Sequence, residues 1–169
     1  MTLEQLLFYA FAAGGVISAL LVVTRRNPII SVICLIVNFF CLAGLYLTLH
    51  AQFIAVIQIL VYAGAIMVLF VFVIMLLNLG DERRLRDGFS WKKVVAGGLG
   101  FGVLMELIYI VMMNTASQSI DMDRATNIGT VEAVGHMLFT RFLFPFEVTS
   151  LLLTAAIVGA IILAKKKIE

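Results

Sequence analysis

Five apolar stretches alternate with short polar segments along the chain. They run over approximately 3–23, 29–49, 53–79, 94–113 and 146–164. Within each stretch apolar residues occupy every side of a helical projection rather than one stripe. About 20 such residues cross the hydrocarbon core of a bilayer as an α-helix. Backbone polar groups in hydrocarbon must be satisfied within the segment, so the pattern predicts an all-α integral membrane protein of five transmembrane helices. Asn27-Pro28 gives the second stretch a helix start, with a capping side chain followed by a residue that needs no N–H donor. One segment outside the spans has a helical period. From Val131, the residues Val131, Val134, Leu138 and Phe142 fall on one face, and Glu132, His136 and Thr140 fall on the other. This predicts a short amphipathic helix along the outer interface, just before the last span, with His136 a solvated interface residue rather than a proton or metal site. Asn114–Thr130 is polar and turn-rich. No internal repeat or second domain interrupts residues 1–169, which read as one membrane domain.

Composition agrees with the pattern. The chain is 63% hydrophobic and 13% charged, too little polar material to cover a soluble domain of 169 residues. Its net charge of +2 does not suggest nucleic-acid binding, since the basic residues flank apolar runs. Arg25 and Arg26, the cluster Arg83, Arg84, Arg86, Lys92 and Lys93, and Lys165–Lys167 make ten of the twelve basic residues, all on one side. Only Arg124 and Arg141 fall on the other. The positive-inside rule then places the N-terminus outside and the C-terminus in the cytoplasm of a bacterial inner membrane. The N-terminal end of the chain holds Glu4 and no basic residue, so no removable signal peptide is expected. Cys34 and Cys41 are seven apart, roughly 10 Å along a helix, too far for a disulfide within it.

No phosphate loop, catalytic triad or metal-ligand cluster is found. The distinctive residues lie in the third run. Its 27 residues would rise roughly 40 Å, more than the hydrocarbon thickness, so the helix must tilt, overhang or be locally irregular. Gln58 and Tyr62 are four apart and share a face of a regular helix. Ala63-Gly64-Ala65 follows, small enough for a close neighbour and tolerant of a backbone departure. Two readings fit these residues. One is ordinary tight packing, with Tyr62 bonding a neighbouring backbone. The other is a conformational hinge, in which a single-turn π-bulge turns one half of the helix against the other.

The stretch Ala55-x-x-Gln58-Ile-Leu-Val-Tyr62-Ala-Gly64-Ala-Ile-Met-Val-Leu-Phe-Val-Phe-Val-Ile-Met75 closely resembles the third helix of the subunit J family of NADH–quinone oxidoreductase, respiratory complex I, whose mitochondrial counterpart is NADH dehydrogenase subunit six. Gly135-x-x-Leu138-Phe-Thr140-x-Phe142-x-x-Pro145-Phe-Glu147-x-x-Ser150-Leu-Leu-Leu153 and the following Ala155, Ala156 and Gly159 look like the family's last helix and its approach. Arg25-Arg-Asn-Pro28 resembles its first cytoplasmic turn. The resemblance implies a non-catalytic membrane-arm subunit near the junction with the peripheral arm. It implies that this chain binds no flavin, iron–sulfur cluster or NADH, the FMN and clusters of the complex residing on other subunits. It implies further that the complex uses quinone without this chain being its main binding site. The partners implied are the other membrane-arm subunits and the bilayer. The family's third helix is implied to switch between a π-bulged and a regular form around Tyr62 and Gly64, gating a water path that links quinone reduction to proton pumping. Some members carry a carboxylate where this chain has Gln58, so a titrating proton carrier there is not expected.

Three further features remain. Glu106 lies halfway along the fourth run, where a carboxyl is costly; it is either a member of a proton path or a group that stays protonated or bonds an adjacent helix. Glu147 reads as a first-turn carboxylate of the last helix. Gly98-x-x-x-Gly102 is a close-packing motif that suits either self-association or a subunit. Two rival functions follow. The equivalent subunit of a related hydrogenase, ferredoxin-dependent or cation-antiporter complex would share the third-helix motif. A free-standing small transporter would work alone, but a single mid-span charge, Glu106, in five spans leaves little to bind a polar substrate.

Overall fold

The computed structural model of the chain describes residues 2–77, 91–114 and 129–165. Among these residues there are helices and turns and no strand, and five helices are long and apolar enough to cross a membrane. The first, α1 (Leu3–Thr24), opens on a reciprocal cap in which the Thr2 hydroxyl accepts the Gln5 N–H and the Gln5 side chain accepts the Thr2 N–H. The second, α2 (Pro28–Thr48), starts as its sequence dictates. The Asn27 carboxamide oxygen accepts the N–H groups of Ile29 and Ile30 at 3.0 and 3.4 Å, and Pro28 takes the first helical position.

The three-residue link folds α2 back along α1, and this pair forms the firmest interface among the described residues. Small residues make the approach possible. The Cys41 Sγ lies 3.1 Å from where a Cβ on Gly14 would stand, and the Phe11 ring covers Gly44 so closely that a Cβ there would meet it at 2.7 Å. Polar groups then fasten the pair. The Asn38 Nδ2 donates to the Gly15 carbonyl at 2.7 Å and to the Ser18 hydroxyl at 3.1 Å, while Ser18 donates back to the carbonyls of its own preceding turn. In hydrocarbon no water competes for these groups.

α2 ends in a Schellman-type reversal. The Ala51 N–H reaches back to the Tyr46 carbonyl and the His50 N–H to Leu47, with His50 at φ 59°, where glycine is the usual residue. The reversal returns the chain at once as α3 (Gln52–Leu76), which packs on α2. α4 (Trp91–Asn114) packs on no other described element. The amphipathic segment forms α5 (Val131–Thr140), capped by the Thr130 hydroxyl on the Ala133 N–H, with Glu132, His136 and Thr140 exposed and Ala133, Val134 and Leu138 half-buried. α6 (Leu143–Ala164) is joined to α5 by the edge-on rings of Phe139 and Phe146, 5.2 Å between centroids.

Two boundaries differ from expectation. α6 begins at Leu143, not Phe146, because Pro145 in the first turn forfeits only an N–H that had no helical partner. Glu147 is consequently beyond the first turn and does not cap the helix start. Leu79, the Arg83–Arg86 cluster and Lys166–Lys167 lie outside the described residues.

Candidate functional site

The over-long third run is irregular rather than merely tilted. α3 consists of an α-helical segment Gln52–Ile57, a π-helical segment Gln58–Ile66 and a second α-helical segment Met67–Leu76. The π-segment covers nine residues, longer than the single-turn bulge the sequence suggests. At its end the Met67 N–H bonds the Tyr62 carbonyl, five residues back, whereas the Leu77 N–H bonds Val73, four back. Between the two the register falls from five residues to four, so one carbonyl is passed over and left without a helical donor.

The register decides which side chains face the rest of the fold. The buried positions are Ala55, Gln58, Ala63 and Met67, and the step of five from Gln58 to Ala63 spans the π-segment. A regular helix would put Tyr62 on the inward face below Gln58. Here Ala63 takes that place, 6% exposed, and Tyr62 is displaced to its edge, 44% exposed. The expected shared face of Gln58 and Tyr62 therefore presupposes a register that this form of the helix does not have. Tyr62 meets the Phe39 ring of α2 edge-on, centroids 5.7 Å apart at 64°. Gln58 is 7% exposed, and its backbone N–H bonds the carbonyls of Ile54 and Ala55. Gly64 is exposed, and among the described residues no other helix approaches it; a Cβ there would meet the Ile59 carbonyl of its own π-turn, at 3.2 Å.

Gln58, Tyr62 and Gly64 thus share one irregular segment, but Glu106 does not join them. It is exposed on α4, away from every described helix. Gly98 and Gly102 face open space. No three His, Cys, Asp or Glu side chains gather to hold a metal among the described residues. The buried network of Asn38, Ser18 and the Gly15 carbonyl was not singled out from the sequence, although an amide within an apolar run is itself a signal.

Five membrane-length helices, the third carrying a π-segment through Val-Tyr-Ala-Gly-Ala-Ile, define a helical multi-pass membrane chain, and comparison with known proteins identifies its family. Residues 18–163 match the family model described as NADH-ubiquinone/plastoquinone oxidoreductase chain 6. The NADH-quinone oxidoreductase subunit J of Rickettsia typhi is 35% identical over 169 residues, covering 96% of this chain and 80% of that one. Subunit J of Rhodobacter capsulatus is 36% identical, covering 96% and 82%. The chloroplastic NAD(P)H-quinone oxidoreductase subunit 6 of Staurastrum punctulatum is 36% identical, covering 99% and 94%. The chain belongs to the NADH-quinone oxidoreductase subunit J/chain 6 family. It is a multi-pass membrane protein and a homologue of a complex I subunit.

Proposed function

We propose that this chain is a non-catalytic membrane-arm subunit of a proton-pumping NADH–quinone oxidoreductase in a bacterial inner membrane, and that α3 is a conformational hinge coupling quinone reduction to proton translocation. The observation that carries the hinge is the nine-residue π-segment centred on Tyr62. A π-segment passes over a backbone hydrogen bond, costing roughly 1–2 kcal/mol, so a regular helix lies close in free energy. A gap of that size keeps a minor form populated and lets a distant event shift the balance. Reversion to the α register turns one half of α3 against the other and carries Tyr62 onto the inward face. Gln58, buried in hydrocarbon with an amide to satisfy, gains or loses partners in the same movement. Flavin and iron–sulfur clusters belong to other subunits on this reading, and the lateral faces of α4 and α6 are covered by lipid and by neighbouring membrane subunits. Glu106, at membrane depth on α4, would join a proton path only through groups supplied by those neighbours.

A second reading differs only in electron input. The match to a chloroplast subunit named for NAD(P)H, over nearly the whole of both chains, favours a role that is indifferent to the donor.

Gly64→Val tests the hinge. Its Cβ stands against the Ile59 carbonyl only in the π register, and the β-branch stiffens the turn. The complex should assemble and oxidise NADH with an artificial acceptor at the normal rate, while coupled quinone reduction falls at least tenfold. Normal coupled turnover in a fully assembled Gly64→Val complex would reduce Tyr62 and Gly64 to packing residues.

A further inference from the structure

The hinge has a fixed counterpart on α2. Asn38 ties α2 to α1 through the Gly15 carbonyl at 2.7 Å and the Ser18 hydroxyl at 3.1 Å. With Gly14 and Gly15 open on one side and Cys41 filling the gap from the other, this stretch of α2 has little freedom to slide or turn. Phe39 is the next residue, about 100° further around α2, and it faces α3 instead of α1. Its ring meets Tyr62 edge-on, in the T-shaped arrangement that places one ring's positive edge against the other's negative face.

The contact depends on register. In the π-form the inward positions are Gln58 and Ala63, and Tyr62 lies beside them against Phe39. In a regular helix Tyr62 would follow Gln58 by four residues, about 40° from it, on the inward face. Passage between the forms therefore takes the Tyr62 ring off or across the Phe39 ring, while Phe39 is held in place by its neighbour's hydrogen bonds.

We propose that Phe39 is a positioning residue that sets the balance between the two forms of α3 by retaining Tyr62 in the π register. The proposal rests on the hinge reading and adds to it the element that does the retaining. An edge-to-face ring pair shifts a two-state ratio by about two- to tenfold, so the latch biases the hinge without locking it.

The test uses the whole complex, imaged frozen both at rest and during turnover, with particles sorted by the register of α3 at Tyr62–Met67. Phe39→Leu keeps an apolar side chain and removes the ring; the α-form should rise two- to tenfold relative to the parent complex. Phe39→Tyr keeps the ring and should restore the parent ratio. Phe40→Leu is the control, since Phe40 is 50% exposed and makes no ring contact among the described residues; its ratio should not move. Should Phe39→Leu fail to assemble, Phe39→Met carries the same comparison. An unchanged ratio in the ring-less variant, while the parent shows both forms, would overturn the latch and leave the hinge standing. A parent complex with one form in every condition would overturn both.

Discussion

At the scale of single residues, close approach in this chain is bought by glycine and secured by a few polar atoms. Gly44 is the clearest case, lying under the Phe11 ring with no room for a Cβ. Gly44→Ala should destabilise the α1–α2 pair by about 1–3 kcal/mol, as overpacking of a well-filled interface does. It should lower the amount of assembled complex on a native gel. Phe11→Leu in the same chain should restore much of that loss; no rescue would mean that the ring is not what the new methyl strikes. Little of this was legible beforehand. Apolar residues on every side of a run say that it crosses the membrane but not which face meets a neighbour. Asn38, an amide among apolar residues, carried a signal that was not read, and one of its partners is a backbone carbonyl that no side-chain pattern reveals.

At the scale of elements, the sequence spoke most clearly where physical chemistry is local. Asn27-Pro28 caps α2 and the period from Val131 forms α5 because caps and amphipathic faces are written in neighbouring residues. The start of α6 was placed late because proline was read as a boundary, although a helix tolerates it throughout its first turn. The length of α3 announced an irregularity, and Gly64 its neighbourhood, but not its extent. A continuous apolar run has no periodicity from which a change of register could be read. The burial sequence Ala55, Gln58, Ala63, Met67 exposes the extra residue only once the neighbouring helix is in place. Gly64 is exposed on α3, and among the described residues a Cβ there would meet the Ile59 carbonyl of its own π-turn.

At the scale of the whole molecule, α1, α2 and α3 form a packed unit, α5 touches the start of α3, and the broad apolar faces of α4 and α6 turn away from it. That distribution suits a chain whose neighbours are other membrane helices, as expected of a subunit. Its orientation follows from charge. With Cys34 and Cys41 replaced by alanine, Arg86→Cys should resist an impermeant thiol reagent added to intact cells, and strong labelling from outside would invert the topology. The central claim is that α3 changes register as the complex works, and its most direct measurement is imaging of the unmodified complex at rest and during steady NADH oxidation by quinone. The expected result is the π-segment at Gln58–Ile66 in one population and a regular helix, with Tyr62 turned inward, in another whose share changes with turnover. A single π-helical α3 under both conditions would contradict it.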